Sequence, residues 1–426
     1  MTRNSRAITA LTAAKLVSTT GSWTSTVAMP WLVLTTTGSP ARMSLVLAAQ
    51  VAGIVLLGLP SGALVTRLGP RRTMLLGDAA RAPLIALVPV LFHFHALAFP
   101  LLLAVAFTMG GFTASYVAAQ RLAIPALVGE NPQRVARANS VVDGATRIGN
   151  LAGPALAGVL IGVLGAANVL WFDALTFLLS FLIVLTLIPT TSPGRVSAPP
   201  PALRAHPAHR QSRQVRLWVP VGVRTMAADH VLRWMAVALL LVGVTYPLIM
   251  VTLPVLTTDR YGGDSRTYGA LVSASGLGLA AGSLLAVWAS GRWNLAKLGG
   301  PAVIGAMGPL WLLPLPLSKV GTGAVLALSG LFIPIFSSCL TSYFTLRTRP
   351  DLRPQVMTSV VATENTAAFA AYAAGGILIA AAGTTATLLL AATTATGCAI
   401  ALLLAVAALQ RPDRHPAEAL SPSPTR

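Results

Sequence analysis

Four carboxylates lie in stretches of this chain that are otherwise apolar: Asp78, Asp143, Asp173 and Glu364. A charge placed in hydrocarbon costs about 2.5–3.5 kcal/mol on insertion scales, so each needs a partner or a task. Asp78 stands three residues before Arg81 and Asp143 four before Arg147, spacings that set each pair on one helix face as an ion pair. Asp173 and Glu364 have no local partner, which leaves them two roles: coupling or substrate work, or pairing with another helix. Lys15 lies near enough to a helix end for its ammonium to snorkel out. Other chemistry is poorly supplied. The metalloprotease pattern H-E-x-x-H is absent, and Ser273-Ala-Ser275-Gly276 lacks the first glycine of a serine-protease-like G-x-S-G. His93, His95 and His230 fall at helix ends, leaving no membrane-buried histidine as a base. No G-x-x-x-x-G-K-[ST] loop offers a phosphate cradle, so ATP is not the direct energy source. Cys339 and Cys398 sit in apolar stretches as packing residues, without disulfide or metal spacing. The expectation is a non-enzyme with no cofactor and no metal.

The elements that carry these residues follow from composition. With 55% hydrophobic and 10% charged residues and a mean hydropathy of +0.74, the chain belongs in a bilayer. A spanning helix needs about 20 mostly apolar residues. Twelve such stretches occur, near 9–36, 43–65, 73–94, 97–119, 140–164, 167–189, 235–257, 268–290, 297–318, 321–346, 357–381 and 384–409. The first lacks a cleavage site after a short apolar core and reads as a retained helix. A formal charge of +19 suggests nucleic acid only if the charges share one surface, and here they are scattered over separate loops. With a cytoplasmic amino terminus the outside loops hold only Arg42, Arg260, Arg266 and Lys319, and the spans hold Lys15, Arg81 and Arg147. All other Lys and Arg residues then lie inside, which places both termini in the cytoplasm. The preference for Arg over Lys, with abundant Ala, is that of a G+C-rich bacterial genome, so the membrane is a bacterial plasma membrane.

Between 190 and 216 the chain turns Pro-, Ser- and Arg-rich, with Pro199-Pro-Pro201 and Arg204, Arg210, Arg213 and Arg216. It cannot bury enough apolar surface to fold alone. The expected organisation is an N-terminal six-helix half over 1–189, a cytoplasmic linker with a basic amphipathic segment (Leu217 to Trp234) over 190–234, a C-terminal six-helix half over 235–409, and a disordered tail over 410–426. The halves look related: Gly62 and Arg72 fall on Gly282 and Arg292, while Val135 and Asp143 fall on Val356 and Glu364. Such duplication is a common plan of secondary transporters, with the binding site between halves.

Between the second and third stretches runs Gly62-Ala-Leu-Val-Thr-Arg-Leu-Gly-Pro-Arg-Arg72. It resembles the loop between helices 2 and 3 of the major facilitator superfamily, G-x-L-x-D-R-x-G-R-R, at Gly62, Leu64, Arg67, Gly69 and Arg71, with Arg72 closing the segment. Thr66 stands where the family has Asp and Pro70 where it often has Arg. In helix 5, Gly149, Gly153, Pro154 and Gly158 resemble the antiporter motif of drug-exporting facilitators, G-x8-G-x3-G-P-x2-G-G, with Ser140 and Ala157 in place of two glycines. Small residues four apart let helices approach closely, and Pro154 loosens the helix. Thr36-Thr37-Gly38-Ser39, Asp78-Ala-Ala-Arg81, Ala123-Ile-Pro125 after helix 4, and Phe172-Asp173 are similar to positions in the enterobactin- and macrolide-exporter branch. Helix 4 lacks the Arg of proton-driven exporters, and Gln120-Arg121 lies at its cytoplasmic end instead.

The resemblance implies an all-α integral membrane protein of twelve transmembrane helices in two six-helix halves. In it helices 1, 4, 7 and 10 would line a central cavity with Trp23, Met29, Met109, Phe112, Tyr116, Tyr246, Met250, Phe332 and Tyr343. Few charges and many aromatic rings suit an apolar small-molecule substrate. The expected activity is export by alternating access, with protons as the counter-moving partner, the lipid bilayer as the setting and no nucleic acid. An importer or uniporter of the same fold is the alternative, followed by a transport-dead sensor and an intramembrane enzyme.

Overall fold

The computed structural model describes residues 3–129, 131–189, 221–290, 292, 295–349 and 352–410. Among the described residues every regular element is a helix. The N-terminal half runs α1 (Arg3–Thr37), α2 (Pro40–Leu68), α3 (Pro70–His93), α4 (Phe99–Val128), α5 (Pro132–Leu164) and α6 (Ala166–Leu187). The C-terminal half runs α7 (His230–Tyr261), α8 (Ser265–Ser290), α9 (Leu295–Met307) extended by the 3-10 turn Gly308–Leu312, and α10 (Lys319–Arg347). A continuous helical stretch, Arg353–Gln410, then breaks at Gly383, whose φ of 83° and ψ of 170° lie outside any helix. It is therefore two spans, α11 (353–382) and α12 (384–410). The sequence places its last two spans on either side of this glycine.

Sequence punctuation explains most of the boundaries. Ser39 accepts the amide of Arg42 ahead of Pro40, Asn131 accepts those of Gln133 and Arg134 ahead of Pro132, and Ser318 accepts that of Gly321. Gly69 turns the chain between α2 and α3 at a φ of 80°, where an L side chain is strained. In α1 the polar residues are compatible with lipid because their hydroxyls donate to carbonyls one turn back, as Thr12 to Ile8 and Thr20 to Leu16, each at 2.8 Å.

Three boundaries differ from expectation. Helix α4 continues to Val128 and takes in Ala123, Ile124 and Pro125, which the sequence suggested lay beyond it. Helix α5 starts at Pro132 rather than near 140, because Asn131 caps it there. Helix α7 starts at His230, since Asp229 accepts the amides of Val231 and Leu232 and meets Arg347 Nε at 3.2 Å. Residues 221–228 form a separate short helix, with Met226 buried and Gly222 close to Gln355 and Ser359 of α11. A single amphipathic helix to Trp234 is thus replaced by two helices meeting at Asp229. Residues 190–216 and the tail beyond Gln410 lie outside the described residues.

The two halves pack alike. In the first, α1 lies on α5 and α6, α2 on α4, and α3 on α4 and α6; in the second, α7 lies on the α11–α12 pair, α8 on α10, and α9 on α10. Glycine makes the equivalent crossings close. Gly53 and Gly110 place α2 and α4 backbone to backbone, and Gly278 and Gly282 do the same for α8 and α10. Between halves, α5 meets α8 and α2 meets the α11–α12 pair. The bundle has a terminal end, where α1 starts and α12 finishes, and a far end, which carries the turns at Gly38, Gly165, Gly262 and Gly383.

Candidate functional site

The far end is sealed where the halves touch. Gly158 of α5 and Gly269 of α8 lie so close that a β-carbon on either would overlap the other's backbone. Gly376 of α11 similarly rests on Pro40, Ala41 and Ser44 at the start of α2. Trp31 of α1 stacks on Tyr268 of α8 with ring centroids 4.7 Å apart and planes 10° apart. Tyr268 also donates its hydroxyl to the carbonyl of Val27 at 3.4 Å.

Beyond this seal lies a cavity of about 710 Å³. Its lining runs from Val27 and Tyr268 to Gly144 on α5 and Val287 on α8, close to the terminal end. The volume falls in the range of small-molecule sites, about 300–1,000 Å³. Of the aromatic and methionine candidates, Trp23, Tyr246 and Met250 line it. Met29, Met109, Tyr116 and Tyr343 are instead buried in helix packing. Phe332 packs against Gly305 of α9, and Phe112 is not among the lining residues. For the α4 candidates the reason is which helices form the wall: α5 and α8 supply much of it, and α4 supplies none of the described lining; α1 and α10 do line it, but through Trp23, Thr26, Val27 and Pro30 and through Ile333, Pro334 and Ser337, and not through Met29, Phe332 or Tyr343. Ser275 and Gly276, which in the sequence suggested only an incomplete protease motif, are wall residues, and Tyr372 of α11 joins them. Small residues on α8 spaced like those of α5 were the available signal.

The glycines of the α5 motif divide between two jobs. Gly149 and Gly153 receive Thr19, Thr20 and Trp23 of α1, whereas Gly158 receives α8. Pro154, between them, lines the cavity. Trp23 is fixed by donating its indole N–H to Asn150 Oδ1 at 2.7 Å.

The charged candidates occupy three environments. Asp78 and Arg81 pair at 2.5 Å, both buried, and Ser180 donates to the second Asp78 oxygen at 2.7 Å. The Arg81 guanidinium lies 4.3 Å from the Phe177 ring and 4.7 Å from the Tyr116 ring, with Lys15 Nζ 5.7 Å from the latter. Asp173, fully buried on α6, accepts Ser25 of α1 at 2.5 Å and Thr176 at 3.2 Å, so its partner is a hydroxyl on another helix. Asp143 and Arg147 do not form the ion pair their spacing suggested: both are exposed, and only Arg147 lines the cavity. Four residues on a helix permit a pair without enforcing one. Glu364 is exposed on α11, with its backbone near Gly243 of α7.

In the loop motif, Arg71 donates from Nε to the Ile188 carbonyl at 2.8 Å and from Nη2 to the Leu185 carbonyl at 2.7 Å, capping the end of α6. Leu64, Arg67 and Arg72 are exposed. Gly62 lies within α2 and Gly69 makes the reversal. Among the described residues, no three His, Cys, Asp or Glu side chains gather to hold a metal ion.

Known proteins resemble this arrangement. The family described as Major Facilitator Superfamily matches residues 11–371. A protein of Mycolicibacterium fortuitum called Multidrug efflux pump Tap is 30% identical over 253 residues, 58% of this chain and 59% of that protein. The chain thus spans about three-fifths of the length of that curated relative. The nucleoside transporter NupG superposes with a TM-score of 0.69 at 11% identity, covering 93% of this chain and 99% of that one. A bacterial homolog to the human lysosomal transporter Spinster, inward-facing and unoccupied, superposes with a TM-score of 0.68 at 14% identity over 96% of each chain. At those identities the likeness is one of fold.

Proposed function

Because the chain belongs to the Major Facilitator Superfamily, we propose that this multi-pass membrane transporter exports a small, mainly apolar compound from a bacterial cytoplasm by alternating access, with protons moving inward. The observation that carries this reading is the cavity between the halves, sealed at the far end by Gly158 on Gly269 and reaching to the terminal end. The Lys and Arg distribution supports cytoplasmic termini. On that orientation the cavity loads from the cytoplasm, where an exporter meets its substrate, and the name of the M. fortuitum relative agrees with that direction.

Transport then requires the far-end contact to part and the terminal end to close. Helix α1 is placed to link this motion to a proton. It contributes Trp23, Thr26 and Pro30 to the cavity, and on its other side Ser25 binds Asp173. An ionised Asp173 accepts from Ser25 and Thr176 together; a proton on it removes an acceptor site and weakens the tie between α1 and α6. Glu364 on α11 is the second coupling candidate, and the Asp78–Arg81 pair a structural anchor for α3 against α6. Arg71 and Arg67 are proposed to serve the terminal gate, Arg71 through the end of α6.

Everted membrane vesicles test the direction. Energised vesicles bearing the protein should accumulate apolar aromatic compounds, and an uncoupler should stop it. Accumulation confined to right-side-out vesicles would instead establish an importer.

A further inference from the structure

We infer that the cavity is built for an organic anion: an aromatic or apolar body carrying one carboxylate or sulfonate, held by Arg147. The cavity wall is mainly apolar, yet among the described lining residues it has one formally charged side chain, and that is a cation. Among the described residues no acid pairs with Arg147. Asp143, one turn away, is not a lining residue and does not reach it, and the buried acids Asp78 and Asp173 are engaged with Arg81, Ser180, Ser25 and Thr176. A guanidinium facing an apolar chamber without a counter-charge lacks the charge-assisted bonds it makes best, and a planar carboxylate or a sulfonate supplies two in parallel.

The neighbouring polar group is tuned the same way. Asn150, three residues on from Arg147 along α5, also lines the cavity. Its oxygen accepts the indole N–H of Trp23 at 2.7 Å, and an indole N–H can only donate; this fixes the amide oxygen toward Trp23 with one acceptor position used and turns the NH₂, with its two donors, to the other side. Arg147 and Asn150 thus both offer N–H donors from one face of α5, while Met250, Val272 and Tyr372 offer apolar surface for the rest of the molecule. A cationic substrate would meet Arg147 as a like charge with no acid among the described lining residues to offset it.

The proposal rests on this cavity being where the transported compound binds. Equilibrium binding to the full-length protein in lipid nanodiscs tests it with three probes that share one ring system: 2-naphthoate, 2-naphthamide and 2-naphthyltrimethylammonium. The anion should bind about tenfold or more tighter than the amide, and the cation weakest. Arg147→Gln should bring anion and amide to within about twofold, and Arg147→Lys should keep part of the preference, because an ammonium attracts the charge without the bidentate geometry. The anion-to-amide ratio is internal to each preparation, so a change in the amount of folded protein does not alter it. Equal binding of the three probes, preference for the cation, no binding of any, or an anion preference that survives Arg147→Gln would each overturn the anion site. None of these bears on the direction of flux, which the vesicle experiment reads separately.

Discussion

The buried charges of this chain are divided between those that hold helices together and those available to change state. Asp78 has a cation and a hydroxyl bonded to it, whereas the side-chain bonds to Asp173 among the described residues come from the hydroxyls of Ser25 and Thr176. Asp173→Asn preserves the shape and removes the titratable group, so substrate-driven proton movement in proteoliposomes should fall to background while substrate binding stays measurable. Normal proton exchange in that variant, with loss in Glu364→Gln, would move the coupling role to α11. For the loop motif, Arg67→Ala with Arg71→Ala should reduce transport several-fold while protein abundance in the membrane stays near normal. Unchanged flux would show that the bonds from Arg71 to Leu185 and Ile188 cap α6 and do no more. The acids themselves were legible in the sequence, since a carboxylate in an apolar run stands out. Their partners were not. The spacing of Asp143 and Arg147 mimicked that of a pair, and nothing in the order of residues reveals that Ser25 lies against Asp173 from 148 positions away.

At the scale of helices, the small residues of α5 were readable as a close-approach motif, yet the sequence could not say what approaches. Two partners take opposite sides of α5: α1 at Gly149 and Gly153, and α8 at Gly158. The consequences of substitution differ accordingly. Gly153→Leu drives a side chain into Trp23 and the Thr20 carbonyl, disturbing the cavity wall, and should abolish transport with a stability loss of at least about 1–3 kcal/mol. Gly158→Val meets backbone on the opposite half and should bias the protein toward a far-end-open arrangement. Protease accessibility at the α7–α8 turn around Gly263 would rise in that variant if the contact is the seal, and would stay at the wild-type level if it is not. Of the helices 1, 4, 7 and 10 expected at the cavity, α1, α7 and α10 supply lining residues and α4 supplies none of the described lining, while α5 and α8 were missed, because residue type does not disclose how far two halves have rotated about each other. Aromatic residues such as Tyr116 and Tyr343 serve packing, where large rings fill space between helices.

For the molecule as a whole, twelve spans could be counted from hydropathy, including the division at Gly383 that a continuous helical stretch conceals. Helix α1, rich in Ser and Thr, and the short α9 with its 3-10 extension are less apolar or shorter than the others, and packing against their neighbours completes them. Orientation is an argument from charge: reporters fused after Ser197 and at Arg426 should both read as cytoplasmic, and a periplasmic signal from either would reverse the account of which end loads. Alternating access requires the seal between Gly158 and Gly269 to open during transport. It is tested most directly by a distance across the far end, between spin labels at the exposed positions Leu164 and Val320, one on each half, with Cys339 and Cys398 replaced by Ala. One short distance is expected in the resting protein, joined by a longer population when substrate is added and the far side is acidified. A single unchanged distance under conditions in which the labelled protein still transports would contradict it.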